Sequence, residues 1–480
     1  MPVYQSEYKR IKDSKTLIDR SFPEFGRNKK QEASRLIFEI SKREGILPKD
    51  VLKGLLVNGE WLDFSHLKTA LFKRRFPYAW QHKLTLKPYL PELNEDKKDV
   101  LFIDETDVFP KNVYVEEEAA SFEFVKRLKY LCKTAKFHKI PSLSGYIKEN
   151  APFSLKDYNE RRNNFFIFKE GHDFFKRCPC TKKAIGCGYH IFNLEFGCVY
   201  ECTYCYLQQY SNSPGVLISA NLDRFFDAFK KYKRPGMRLG TGEFADSLAL
   251  DYLTQRSPEL IDFFNNFEDV TFEFKTKSAS INNLLKAKHR GNIVISWSLN
   301  PQSIIDKNEF YSASLKQRLD AASKCVEAGY RAGFHFDPII YSGDWEKEYK
   351  KVVDRLFSKV SWKDIAWISL GTLRFAPQLK VVIERRFPNN NILDGELYLG
   401  FDAKMRYPEP LRFNIYKKML EYICTHSKDI CVYLCMEDAG MFKDIKNALR
   451  CLHSKIYLNT GRTKVSMPKN CLTKNESAAG

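Results

Sequence analysis

The segment FGCVYECTYCYLQQY holds Cys198, Cys202 and Cys205 in C-x3-C-x2-C spacing. Thiolates are the usual ligands of iron–sulfur clusters. Three of them in one short loop hold three irons of a [4Fe–4S] cluster and leave the fourth iron open, as a metal site that takes a further ligand must be. Zinc is the other occupant these residue types allow, with Cys187 or His190 as fourth ligand, although structural zinc favours paired C-x2-C spacings. The chain has thirteen cysteines, and six fall between Cys178 and Cys205. Clustering of this kind reads as metal or redox chemistry rather than as a disulfide framework.

The elements around the triplet must place it at a strand end. From Gly188 onward, strand-like segments alternate with helix-like ones. The expected strands are YHIFNL, MRLGTG, VTFEFKT, NIVISWSL, RAGFHFDPII and AWISLGTL, with helices such as LDRFFDAFKKY, PELIDFFNNF, LKQRLDAASKCVEAG and WEKEYKKVVDRLF between them. Alternation of this type predicts a parallel sheet with helices outside. Six repeats suit a partial barrel, and the cysteines then follow the first strand at the C-terminal edge, where such folds place their chemistry. A doubly wound open sheet is the alternative. ICVYLC is a further strand in the C-terminal part. Upstream, VLFIDE reads as a strand and EAASFEFVKRLKYLCKTA as a helix, together a small α/β unit. Residues 1–95 carry apolar residues at helical spacing and many basic ones.

The cysteine spacing, with Tyr204 before the third cysteine, resembles the radical S-adenosylmethionine (SAM) superfamily. More narrowly, the sequence resembles the spore photoproduct lyase family in its broad sense. The resemblance runs from about Leu101 to Lys455 and is carried by LFIDE, CPCTK, CGYHIFNLEFGCVYECTYCYLQ, GTGEFADSLALD, TKS, RLDAASKCVEAGYRAGFHFDPI, ISLGTLRF and VYLCMED, in that order. It implies an α/β fold: a partial (β/α)6 barrel of the radical SAM type with a small α/β N-terminal unit and an additional basic, mostly helical N-terminal extension. The expected domains are a basic helical accessory region at 1–95, the small α/β unit at 96–186, the barrel at 187–390, and a C-terminal α/β extension at 391–480 whose tail after about Leu472 is disordered.

The resemblance also implies a [4Fe–4S] cluster on Cys198, Cys202 and Cys205 and SAM as cofactor, bound by Tyr204, Gly242, Glu243, Lys277, Ser298 and Asn300. GTGE resembles the superfamily's Gly-Gly-Glu motif with Thr241 in the middle. Its glycines let backbone approach the methionyl group, and its carboxylate pairs with the ammonium. Lys277 matches a family lysine that reaches the cofactor carboxylate, with Lys275 as the register alternative. Ser298 and Asn300 end the fourth strand, where they hydrogen-bond ribose or carboxylate or else serve the turn before Pro301. His335 and Asp337, at the end of the fifth, line the pocket or satisfy loop backbone. In lyases of this family a cysteine some forty residues after the cluster returns a hydrogen atom. The matching stretch here, RLGTGEFADS, has no cysteine, and the donor position falls near Glu243.

The chain carries 78 Lys and Arg against 59 Asp and Glu, a net charge of +19. That excess is compatible with a polyanion partner such as DNA and equally with a well-solvated surface. No apolar run approaches the roughly 20 residues of a membrane span, and MPVYQSEYKRIKD lacks the apolar core of a secretory signal. A cytoplasmic place and no membrane partner are therefore expected, and the resemblance implies a reducing donor such as flavodoxin or ferredoxin. The function that the resemblance implies is reductive SAM cleavage to a 5′-deoxyadenosyl radical, in a carbon–carbon lyase of the spore photoproduct type that repairs DNA thymine dimers. The alternatives are a radical SAM enzyme acting on a peptide, RNA or small molecule, and a noncatalytic DNA-binding protein with a structural metal.

Overall fold

The computed structural model describes residues 2–53, 55, 63–95, 99–103, 109–172, 175–181, 183–210 and 213–448. The chain divides into two units, one made of Met1–Phe102 with Arg374–Leu411 and the other of Ile103–Leu373 with Arg412–Gly480. The C-terminal tail expected to be disordered lies outside the described residues.

The first unit is helical. Pro2–Ser21, Arg27–Glu44 and Phe64–Arg75 pack Ile18, Leu36, Ile37, Ile40 and Leu71 into one core. Asp63 starts the third of these helices by accepting the backbone N–H of His66. Residues 374–411 were expected partly in the barrel and partly in the C-terminal extension, yet they belong to this unit. Buried charge explains why. Arg35 pairs with Glu39 at 2.7 Å and with Glu384, while Lys380 reaches Glu39 at 2.7 Å. Arg75 pairs with Glu39 and donates to the backbone carbonyls of Leu393, Asp394 and Gly395. A buried charge left without its partner is strongly destabilising, so the two stretches must come together.

The second unit carries the chemistry. Its larger sheet has eight strands: β1 (Phe175–Arg177), β2 (Tyr189–Phe192), β3 (Met237–Gly240), β4 (Val270–Thr276), β5 (Ile293–Ser298), β6 (Arg331–Ile339), β7 (Ile365–Thr372) and β8 (Val432–Leu434). They lie side by side in chain order. All neighbours from β2 to β8 are parallel, and β1 runs antiparallel along the β2 edge. The six expected strands are β2 to β7. ICVYLC adds β8 to the same sheet rather than standing apart. Helices Asp223–Tyr232, Arg256–Phe264, Leu315–Glu327 and Trp345–Lys359 fill the crossovers. Ser314 and Gln317 form a capping box at the start of the third of these. Every residue of β5 and β7 is buried, as expected of strands covered on both faces. The result is a curled half-barrel sheet, as the resemblance implies.

A second sheet orders Lys136–Ile140, Asn112–Glu116, Asn164–Phe168, Val216–Ser219 and Glu195–Phe196. The first four strands are parallel and the last is antiparallel. This is the expected small α/β element, except that it takes two strands from beyond residue 187. The predicted strand VLFIDE does not form at Leu101–Ile103, and Asp104 and Glu105 lie outside the described residues.

Candidate functional site at the barrel edge

The loop after β2 is fixed by backbone bonds and one arginine. Glu201–Cys202 forms a two-residue strand antiparallel to Glu309–Phe310, with Glu309 opposite Cys202 and Phe310 opposite Glu201. Thr203 is bonded twice to Asn308, N–H to carbonyl at 2.9 Å and hydroxyl to amide oxygen at 2.8 Å. The buried Arg161 donates Nε to the Cys198 carbonyl and Nη2 to that of Tyr200, and pairs with Glu201. Cys202 is buried, and Cys198 and Cys205 are half-buried. Burial raises all three thiol pKa values, that of Cys198 to about 12, with Asp246 adding to it. Lys277 opposes the rise at Cys202 and Cys205. Metal binding, which requires thiolates, then displaces protons.

Among the described residues no three His, Cys, Asp or Glu side chains converge to hold a single metal ion. A four-iron cluster would place the three thiolates on three different irons. Neither proposed fourth zinc ligand joins the loop. Cys187 packs with Val294, Ala366, Trp367, Cys431 and Tyr433, and His190 stacks on Phe175.

Gly240 ends β3 where a Cβ would lie 2.2 Å from the Glu273 carbonyl oxygen and from the Tyr189 hydroxyl, and a Cβ on Gly242 would lie 2.9 Å from that of Lys275. The GTGE turn therefore needs both glycines. Glu243 accepts from Asn193 at 2.8 Å and Lys176 at 3.2 Å, both at Oε2. Its Oε1 has no partner among the described residues. The Tyr206 hydroxyl donates to the Glu243 carbonyl, tying this turn to the cysteine loop. Asn193 is 1% exposed, and its amide oxygen has no partner. An unpaired buried acceptor beside a half-used carboxylate is what a ligand ammonium requires.

Asp246 joins this turn to the next strand end. One oxygen accepts from the Thr276 hydroxyl and the N–H groups of Leu248 and Ala249, and the other accepts the N–H of Lys277. Burial raises its pKa despite these bonds. Lys277 is half-buried, its ammonium 5.8 Å from the Tyr204 ring centroid, with no hydrogen bond or ion pair among the described residues. Burial works against its charge, yet Cys202 and Glu309 raise its pKa above the usual lysine value. Lys277, not Lys275, is thus the free cation beside the cysteines, whereas Lys275 acts on Cys178 and His335.

Ser298 gives its carbonyl to Arg318 at 2.8 Å. Asn300 is 1% exposed, donates to Glu309 at 2.7 Å and accepts from Tyr349 at 2.6 Å. The Asn300 amide is therefore engaged within the scaffold, and both residues are buried. His335 bonds Ser369 at 2.6 Å and Glu273 at 2.8 Å, and Glu273 pairs with Arg238 at 2.7 Å. This chain of polar groups runs along the buried sheet itself.

The sequence reading missed Arg161, Asn193, Asp246, Glu309 and Arg318. Each is a single polar residue inside an otherwise ordinary helix, strand or turn, and only the fold shows its partners. Tyr206 directly follows Cys205 and was the one readable signal. Cys178 hydrogen-bonds Cys180, which together with burial raises its pKa, and it feels the charges of Lys275 and Glu243.

A family model for spore photoproduct lyase matches residues 108–398. A spore photoproduct lyase of Geobacillus sp. (strain Y412MC61) is 31% identical over 301 residues, 59% of this chain and 84% of that protein. That of Bacillus subtilis (strain 168) is 30% identical over 209 residues, 42% of this chain and 61% of its own. The solved structure of a spore photoproduct lyase complexed with dinucleoside spore photoproduct is similar at a TM-score of 0.59 and 26% identity, covering 68% of this chain and 99% of that one. A variant lyase with bound AdoMet and dinucleoside spore photoproduct gives 0.59 and 25%, covering 69% and 100%. With the family model spanning more than half of its length, this chain belongs to the spore photoproduct lyase family.

Proposed function

We propose that this protein is a radical SAM enzyme that repairs spore photoproduct, the methylene-bridged thymine dimer of DNA. The observation that carries the reading is the Lys277 ammonium, without an ion pair among the described residues and acting on Cys202, together with the open Glu243 and Asn193 acceptors at the turn that Tyr206 ties to the cysteine loop. Cys198, Cys202 and Cys205 would hold a [4Fe–4S] cluster, and with SAM it would supply radical chemistry initiated by one-electron reduction.

The chain's own groups bind and orient. Glu243 and Asn193 accept the cofactor ammonium, Lys277 meets its carboxylate, and the Gly240–Gly242 turn lets backbone come close. Tyr204 stacks below the Lys277 cation and is held by Glu309. Ser298 and Asn300 act by supporting this wall. Thiols release hydrogen atoms readily, and Cys178 lies within the field of Glu243 and Lys275. With no cysteine at Glu243, Cys178 is the thiol we assign to returning hydrogen to the product. The lesion must leave the base stack to enter such a pocket, and the positive charge of the chain is compatible with DNA. A low-potential donor such as flavodoxin or ferredoxin would feed the site. No helix among the described residues is long and apolar enough to cross a membrane.

The test is anaerobic reconstitution with iron and sulfide, followed by dithionite, SAM and dinucleoside spore photoproduct. Release of thymidine product with 5′-deoxyadenosine is expected. Cofactor cleavage without repair would move the substrate to a peptide, RNA or small molecule. Zinc in place of iron, with no 5′-deoxyadenosine, would leave a noncatalytic DNA-binding protein.

A further inference from the structure

Cys202 stands on a ribbon that carries one acid on each strand. Glu201 precedes it, and Glu309 faces it across the ribbon. Each acid has its own arginine. Arg161 pairs with Glu201, both 1% exposed, and Arg318 pairs with Glu309 at 2.6 Å, both 0% exposed. Buried ion pairs are poor devices for stability, since apolar residues of similar size often serve as well or better. They are strong sources of local field, because a buried charge is weakly screened.

The two pairs are not equivalent. Arg161 is bound to the loop backbone at Cys198 and Tyr200 and to the carbonyl of Tyr158 in its own preceding helix, so it fixes the loop's shape. Glu309 is instead a node. Its Oε1 accepts from Asn300 and from the Tyr204 hydroxyl, and its Oε2 accepts from Arg318, which also donates to Ser312 at 2.8 Å. Lys277 is the second cation acting on both Glu309 and Cys202. Arg318 and Lys277 thus act on Cys202 in opposition to Glu309.

We propose that the Arg318–Glu309 pair, with Lys277, tunes the reduction potential of the cluster on Cys202: Glu309 holds it down, and Arg318 and Lys277 hold it up. This rests on the cluster reading given above. The step concerned is the uptake of one electron from an external low-potential donor, in which no bond forms or breaks. The electron adds one negative charge to the cluster, so nearby cations favour it and a nearby carboxylate opposes it. Glu309 and Arg318 are positioning residues here, acting through Cys202, Tyr204 and Lys277.

The experiment is an anaerobic redox titration of the reconstituted full chain, followed by the cluster's electron paramagnetic resonance signal. Glu309→Gln is expected to shift the midpoint to more positive values and Arg318→Gln to more negative ones. The double variant is expected to return towards the parent. Should Arg318→Gln fail to fold, Lys277→Met removes a cation without leaving Glu309 unpaired and is expected to shift the midpoint down. Tyr204→Phe removes a hydrogen bond but no charge and is expected to move the midpoint less than any of these. Shifts of the same sign in the acid and cation variants, or an unchanged midpoint in Glu309→Gln at full iron content, would overturn the proposal. Absence of a cluster signal from the parent protein would instead overturn the cluster reading itself.

Discussion

Asp246 accepts the backbone N–H of Lys277 at 2.6 Å, while its other oxygen closes the turn at Leu248 and Ala249. One carboxylate thus couples the loop after β3, which carries Glu243, to the loop after β4, which carries the free ammonium. Asp246→Ala leaves several buried donors without an acceptor and is expected to cost about 3 kcal/mol in urea denaturation. It should also weaken SAM binding at least tenfold by releasing Lys277. Asp246→Asn keeps one acceptor oxygen and should fall between the two. SAM affinity unchanged in Asp246→Ala would show that Lys277 is held by something else.

The cysteines should separate into two groups. Alanine at Cys198, Cys202 or Cys205 is expected to abolish bound iron and its visible absorption after anaerobic reconstitution. Alanine at Cys187, which packs among Trp367, Cys431 and Tyr433, should leave both intact. Cys178→Ala should also keep iron and continue to form 5′-deoxyadenosine, while yield of repaired product falls at least tenfold. Normal repair by Cys178→Ala would place the hydrogen source elsewhere.

Lys277→Met and Lys275→Met should differ. Loss of the ammonium beside Cys202 is expected to raise the dissociation constant for SAM tenfold or more, a change of about 1.4 kcal/mol. Lys275 acts on Cys178 and His335, and its replacement should change SAM affinity less than threefold. Isothermal titration of the iron-loaded proteins distinguishes the two, and equal losses would contradict the assignment.

His335 gives the buried sheet a pH dependence. Burial, with Lys275 nearby, pushes its pKa from 6.5 down to about 4. The unfolded chain then takes up a proton that the folded one refuses, so stability is complete above about pH 6.5 and declines as pH falls towards 4. The loss should approach about 3 kcal/mol at the lower end. Glu273, which Arg238 and His335 hold below the usual carboxylate range against burial, loses its contribution only at lower pH. Urea denaturation between pH 7 and 4.5 should show a slope that His335→Gln removes.

The sequence exposed what is periodic or local. Six parallel strands, their helices and the cysteine loop follow from alternation and spacing, and GTGE was readable because its glycines and acid are adjacent. Partnerships between distant residues stayed hidden. Glu309 reads as one more acid before Phe310, and only the ribbon places it opposite Cys202. Asn300 reads as a ligand at a strand end, whereas Glu309 and Tyr349 already engage its amide. Leu101–Ile103 has strand-like composition but pairs with no strand among the described residues, and composition alone does not supply a hydrogen-bonding edge. Residues 374–411 look like barrel and tail because their attachment to the N-terminal helices is made by single buried charges, which leave no periodic trace.

Because residues 374–411 complete what residues 1–102 begin, the N-terminal helices leave the ribosome well before the chain that finishes their packing. At roughly 5–20 residues per second, synthesis keeps them waiting on the order of tens of seconds. During that interval Arg35 lacks Glu384, Glu39 lacks Lys380, and the apolar surface later covered by Tyr398 faces solvent. The nascent extension therefore waits with unpaired charge and uncovered apolar surface, the state that chaperones shield and proteases attack.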